Sequence, residues 1–197
     1  MAVSTTFDPL STMVGGVHYA YVGPLGTPLP TDCPTEPGEG LDDAFGFLGY
    51  TADTGGTFAV DTQTTDLYAS QSFDPIRTII TTRKASITLP FIEIANDDAL
   101  AAAFGGGEIT VVSGGYKYTP PAAGTIDEVT AVLDIVDGDE IYRIVAERCL
   151  AAGSVNMQLV KNAFSQLPVT LNCLAPVTLP TAWHLVGSNT AMAATGS

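Results

Sequence analysis

The only two histidines of the chain, His18 and His184, limit any mechanism that needs an imidazole base. A serine nucleophile requires such a base and a carboxylate beside it, and Ser113 and Asp134 could complete a set on paper. The sequence lacks the Gly-x-Ser-x-Gly elbow that exposes a nucleophilic serine at a sharp turn. We therefore expect His18 to be an ordinary strand residue, His184 to lie in a terminal arm, and no residue to be catalytic.

Acidic and glycine motifs also admit a chemical interpretation. Asp137-Gly138-Asp139-Glu140 offers closely spaced oxygen ligands, but it lacks the further ligands of a calcium loop, and Asp-Gly is typical of a hairpin tip. The glycines at 105–107 follow a predicted helix instead of preceding it, which is the wrong end for binding a phosphate. We expect no metal and no cofactor.

The three cysteines, Cys33, Cys149 and Cys173, form neither a CxxC motif nor a Cys/His cluster. A zinc site and a disulfide framework are therefore not predicted. Cys149 and Cys173 lie among apolar residues and are expected to be buried thiols, as in a protein assembled in a reducing cytoplasm.

Charge is low and unevenly distributed. Charged residues make up 14% of the chain, the net charge is -14, and no Lys or Arg occurs before Arg77. Such a chain does not bind nucleic acid by counterion release, which needs cations against phosphates. The N-terminus has no basic start followed by an apolar run, and prolines interrupt the charge-free tract after Asn162. We expect a soluble protein without a secretion signal or a membrane anchor.

Alternation of apolar and polar residues predicts a chain made mostly of strands. They are expected at residues 17–22, 44–51, 57–62, 65–72, 77–95, 109–113, 116–119, 128–136, 140–149 and 168–174, and strand is favoured over helix for 155–164. Prolines and glycines predict an extended loop at 23–40. One helix is predicted, with Asn96 as its cap and with Leu100 and Phe104 on the face that packs against the sheet.

The predicted fold is mainly β, a β-sandwich or partly closed barrel with one short α-helix and extended arms. Residues 1–15 form an N-terminal arm, residues 16–176 the β-domain with its long loop at 23–40, and residues 177–197 a C-terminal arm.

Five short motifs occur in an order that carries a family resemblance: Leu48-Gly49-Tyr50, Thr65-Asp66-Leu67-Tyr68-Ala69, Asp74-Pro75-Ile76-Arg77-Thr78, Phe91-Ile92-Glu93 leading into Asn96, and Phe104-Gly105. In order and spacing they resemble the major tail tube protein of long-tailed, non-contractile bacteriophages, the siphophage kind, loosely over residues 16–176. The resemblance implies a structural virion protein, assembled in the host cytoplasm, whose six-fold rings stack into a tube for DNA ejection.

The resemblance also implies which residues meet neighbours. Expected partners are other copies of the chain, the tape-measure protein, and the tail terminator and tip proteins, while genomic DNA passes without specific binding. Inter-subunit candidates are Val17, Tyr19, Tyr21, Leu25, Leu29, Leu41, Leu179, Trp183 and Leu185. Acidic candidates for the lumen are Asp42, Asp43, Asp53, Asp61 and Asp66.

One alternative of a different class stays open on the sequence alone. A monomeric or trimeric β-domain that decorates a capsid or binds a receptor would have a similar composition. It would expose an aromatic patch without forming rings, whereas an enzyme would show a deep pocket with perturbed carboxylates.

Overall fold

The computed structural model describes residues 12–157, 159 and 161–188. It is mainly β, with 46% strand and 5% helix, and its sheets are not closed into a barrel, so a sandwich-like fold fits. The described residues form the following elements: β1 Val17–Pro24, β2 Gly46–Phe47, β3 Thr57–Leu67, β4 Arg77–Phe91, α1 Asp97–Phe104, β5 Glu108–Val112, β6 Gly115–Thr119, β7 Glu128–Asp137, β8 Glu140–Ala151, β9 Leu167–Cys173 and β10 His184–Gly187.

One antiparallel sheet contains most strands, in the order β2-β1-β7-β8-β9-β4-β3. The Asp-Gly hairpin is confirmed: it joins β7 to β8, and Gly138 takes the positive φ of 62° that the turn requires. The short strand β10 pairs with β8, and β5 and β6 form a separate hairpin. Strand pairing therefore brings together segments that are far apart in the sequence.

The core lies on one face of the main sheet, where alternate residues of each strand point inward. Ala20, Leu133, Ile144 and Leu89, from β1, β7, β8 and β4, are buried there with Leu100 of α1. The two ends of the sheet approach each other, since the Gly56 N–H, just before β3, donates to His18 Nε2 of β1 at 3.1 Å.

The predicted strand at 44–51 is wrong. Only Gly46–Phe47 pairs with β1, and the chain then crosses to β4, where Thr51 bridges Phe91. Gly49 has a φ of 87°, a left-handed conformation that redirects the backbone between the two contacts. The segment thus contacts strands near both ends of the sheet.

Two other strand predictions are corrected. The predicted strands at 57–62 and 65–72 are one strand, β3, which ends at Leu67 and continues across a bulge at Gln63/Thr64. No strand occurs among the described residues of 155–164, which belong to the connection from β8 to β9. That connection joins the neighbouring antiparallel strands β8 and β9.

The helix α1 is where the sequence predicts it. The Asn96 side chain accepts a hydrogen bond from the Ala99 N–H at 3.1 Å, and Gly105 ends the helix with a φ of 75°. Leu100 is buried, but Phe104 is 37% exposed and lies 5.7 Å, ring to ring, from Tyr118 of β6. Phe104 therefore lies against the β5–β6 hairpin and not in the sheet core.

With eight residues, α1 is too short to cross a membrane, and no other helix occurs in the described part of the chain.

Candidate assembly surfaces

The outer halves of β3 and β4 extend beyond the rest of the sheet as a two-stranded ribbon. We call residues 60–84 the ribbon. β4 pairs with β9 only from Ala85 onward, so residues 77–84 pair with β3 alone over about 27 Å. Every β3 side chain from Val60 to Leu67 is exposed, on both faces. Because an isolated two-stranded hairpin is marginally stable in water, contact with another surface would stabilise the ribbon.

The far end of the ribbon is apolar. Phe73 is fully exposed, and Tyr68, Ile76 and Ile80 each expose more than half of their surface. The Ile76 N–H donates to the Leu67 carbonyl at 2.8 Å, so the turn that carries these side chains has a defined shape. Grouped exposed apolar residues mark interaction surfaces in soluble proteins.

The ribbon also carries much of the positive charge of the chain. Of the seven basic residues of the chain, Arg77, Arg83 and Lys84 lie on it. Three aspartates balance them, so the ribbon is neutral while the chain has a net charge of -14. The ribbon can therefore approach an acidic surface without the repulsion that two acidic surfaces would meet.

A buried ion pair fixes the long loop at 23–40 to the body. Asp134 and Arg143 face each other across β7 and β8, and both Arg143 Nε and Nη2 donate to the Asp134 carboxylate at 2.7 Å. Arg143 Nη1 also donates to the Glu39 carbonyl, and the Gly38 N–H donates to Asp134 Oδ2, both at 2.8 Å. Burial, and next the charge of Asp134, raises the pKa of Tyr21. The loop has no strand beyond Pro24, but it is tied down at its far end.

A second buried carboxylate, Glu147 of β8, binds the turn that precedes β10. It accepts hydrogen bonds from the backbone N–H groups of Val177, Thr178 and Leu179 at 3.2, 2.9 and 2.9 Å, and from the Thr178 hydroxyl at 3.0 Å. Burial acts to raise the pKa of Glu147, and these donors together lower it below the ordinary value. The Glu147 carboxylate, which accepts several hydrogen bonds, thus attaches the C-terminal segment to its own subunit.

A groove of about 640 Å³ lies between β1, α1 and the start of β7. Burial, and next the neighbouring Asp97, raises the pKa of Asp98 on its wall. Its described lining holds no histidine, cysteine, serine or lysine that could act as a base or nucleophile beside that carboxylate. The groove has no arrangement that performs a reaction.

Comparison with known families decides the class of protein. The family model described as "Phage tail tube protein" matches residues 5–196, nearly the whole chain. The chain belongs to the phage tail tube protein family. It is a structural component of the virion tail and not an enzyme. A search of curated proteins found no match.

Within this tail tube protein, the candidate inter-subunit residues fall into two groups. Val17, Leu25 and Leu185 are exposed. The others are partly covered by their own subunit: Tyr19, Tyr21, Leu29, Leu41, Leu179 and Trp183. Trp183 packs edge to face on Phe58, with ring centroids 4.7 Å apart.

The predicted C-terminal arm begins on the subunit itself. His184–Gly187 form β10, which pairs with β8, so His184 is a strand residue. The contacts of Glu147 hold the residues just before this strand. Burial lowers the pKa of His184. Residues 189–197 of the predicted arm, and residues 1–11 of the N-terminal arm, lie outside the described residues.

The five acidic lumen candidates are all exposed, on three parts of the chain. Asp42 and Asp43 lie in the loop before β2, Asp53 in the turn before β3, and Asp61 and Asp66 on the ribbon. Asp61 is opposite Lys84, and Asp66 Oδ1 accepts the Thr78 hydroxyl at 2.6 Å. The two ribbon aspartates therefore have local partners of their own.

Sequence reasoning missed the ribbon tip and the two buried carboxylates. The Asp134 pair could have been predicted from the sequence. With Asp137 opposite Glu140 at the Asp-Gly turn, counting outward along both strands places Asp134 opposite Arg143. Opposite charges at facing positions on two apolar strands are a signal of a buried pair. Glu147 offered no such signal, since its partners are three backbone N–H groups and one hydroxyl about thirty residues away.

Proposed function

We propose that this tail tube protein self-assembles into hexameric rings that stack into a tube, through which the genome leaves the particle. The ribbon is the observation that supports this most. It is exposed on both faces, apolar at its end and neutral, on a subunit that is otherwise strongly acidic. A strand pair of this kind becomes stable when a neighbouring subunit covers it.

The acidic body fits the role of a conduit. Carboxylates on a lumen wall repel DNA phosphates within a Debye length of about 8 Å, so that DNA slides without adhering. Asp42, Asp43 and Asp53 are the candidates that lie outside the ribbon and have no basic residue opposite them in a strand. Tape-measure, terminator and tip proteins would contact the inner wall and the two ends of such a tube.

The terminal segments are proposed as further contacts between rings. Residues 1–15 and the part of 177–197 that follows β10 carry few charges, so a neighbour can cover them without desolvating ions. Val17, Leu25 and Leu185 are exposed apolar residues that would be covered with them.

Electron microscopy of the purified protein over a concentration series tests the proposal. We expect rings or hollow tubes of the wild type, and none of a Phe73→Ser/Ile76→Ser variant. The control is Val111→Ser, which removes a highly exposed apolar side chain from the β5–β6 hairpin. Particles of monomer or trimer size at every concentration, even with the tail tip complex added, would support a monomeric or trimeric binding module instead. Ribbon variants that form normal tubes would refute the assigned surface.

A further inference from the structure

Two cysteines face each other on adjacent strands. Cys149 of β8 is the direct partner of Cys173 of β9. The Leu174 N–H donates to the Arg148 carbonyl at 2.8 Å, which brackets the cysteines and makes them a non-hydrogen-bonded pair. Cα atoms in such pairs are about 4.5 Å apart, inside the range that a disulfide spans. The two sulfur atoms are 3.9 Å apart.

The two thiols differ in access and in acidity. Cys149 is fully buried, whereas Cys173 is partly exposed. The Cys149 thiol donates to the Cys173 sulfur, and this contact lowers the pKa of Cys173. The same contact, together with burial, raises the pKa of Cys149. Cys173 is therefore the more accessible and the more acidic of the two thiols, and the one that an oxidant reaches first.

We propose that Cys149 and Cys173 are a redox pair that closes to a cross-strand disulfide when the protein meets a peroxide. The Cys173 thiolate attacks hydrogen peroxide, forms an S–OH group and releases hydroxide. Cys149 sulfur then attacks the sulfenic sulfur, the S–O bond breaks, and the Cys149 proton and the leaving hydroxide combine to water. In total, two thiols and one peroxide give one disulfide and two waters.

The position of the pair gives the bond a mechanical effect. On its other edge, β9 pairs with β4, and Cys173 is opposite Ala85. Ala85 is the first β4 residue after the ribbon, so a bond from Cys173 to Cys149 fixes β9 to β8 where the ribbon begins. The disulfide also closes the connection between β8 and β9 into a covalent loop, which restricts the unfolded chain. This inference concerns the single subunit and does not depend on ring formation.

The test uses full-length Cys33→Ser protein, which removes the exposed thiol and with it any link between molecules. After peroxide treatment we expect both remaining thiols to become unreactive in denaturant, the mass to fall by about 2 Da, and dithiothreitol to restore both. We expect the melting temperature to rise by roughly 5–10 °C. A digest should contain one peptide pair joined through Cys149 and Cys173.

A Cys33→Ser/Cys149→Ala variant serves as the control. In this variant Cys173 has no partner thiol, so peroxide should add oxygen to Cys173. The melting temperature should then not rise as it does in the Cys33→Ser protein. The proposal is overturned if the Cys33→Ser protein keeps two free thiols, or if Cys173 is oxidised to sulfinic acid beside an intact Cys149. A disulfide that lowers the melting temperature would overturn the stabilising role.

Discussion

Replacing Glu147 by Gln tests the structure most directly, because this one side chain binds the turn that leads into β10. The carboxylate accepts four donors from Val177, Thr178 and Leu179. A glutamine of the same shape keeps one acceptor oxygen and turns an NH₂ group toward N–H donors. The variant is therefore expected to lose charge-assisted hydrogen bonds while the strand that carries residue 147 keeps its packing.

The size of the effect follows from the number of bonds lost. A hydrogen bond to a charged group contributes about 1.5–3 kcal/mol, and the amide oxygen replaces part of the set. Loss of one to two such bonds would destabilise the attachment of residues 177–188 by roughly 1.5–6 kcal/mol. The segment should open locally before the sheet unfolds, since β10 is a short strand at the side of β8.

Fluorescence offers a local assay because Trp183 is the only tryptophan. It packs on Phe58 next to the core and directly precedes β10. In the Glu147→Gln variant we expect a red-shifted emission and faster hydrogen exchange of the β10 amides. The matched control is Glu108→Gln, the same substitution at an exposed residue at the start of β5, which should leave both readouts unchanged. If the Glu147→Gln variant shows the same Trp183 emission and the same β10 amide exchange rates as the wild type, the anchoring role is refuted.

Acid should reproduce the effect in the wild type. The folded pKa of Glu147 lies below its unfolded value, because the backbone donors outweigh the burial that acts to raise it. Its contribution is therefore complete above the unfolded pKa, about 4.3, and is lost as the pH falls through the folded pKa. We expect the Trp183 emission to shift in that acidic window, and this shift to be absent from Glu147→Gln. A wild-type emission that stays constant through acid would contradict the linkage.

Four further substitutions have defined outcomes in urea denaturation. Arg143→Met leaves Asp134 buried without its partner and should lower the free energy of unfolding by about 3–5 kcal/mol, while limited proteolysis should cut the loop at 23–40 sooner. Asn96→Ala removes the helix cap and should cost about 1 kcal/mol. Leu100→Ala should cost about 2–5 kcal/mol and Phe104→Ala clearly less, since only Leu100 is in the core; equal losses would contradict that placement.

Features set by neighbouring residues were predictable from the sequence. The cap at Asn96, the end of α1 at Gly105 and the turn at Gly138 each depend on one residue's side chain or on its access to positive φ. These rules act within a few positions, so no knowledge of the fold was needed. The mainly β class followed in the same way from alternation within single strands.

Features set by distant partners were not predictable. Residues 44–51 have the composition of a strand, yet β1 offers them only two paired positions before they cross to β4. Conversely, β10 lies in a tract read as an arm, and it is a strand because β8 extends past the end of β9 and leaves an open edge. The exposure of the ribbon likewise follows from the point where β9 stops pairing with β4.

The salt dependence of assembly separates the two attractions that the ribbon offers. Burial of Tyr68, Phe73, Ile76 and Ile80 would contribute about 1.5–3 kcal/mol each, whereas exposed ion pairs contribute about 0–1 kcal/mol each. Salt also screens the repulsion between acidic bodies within about 8 Å. Burial of the apolar side chains should contribute more than the ion pairs. We therefore expect tubes, measured by sedimentation, to persist or to form more readily as the sodium chloride concentration is raised. Tubes that dissolve at high salt would show that Arg77, Arg83 and Lys84 dominate the contact, and that the apolar tip does not.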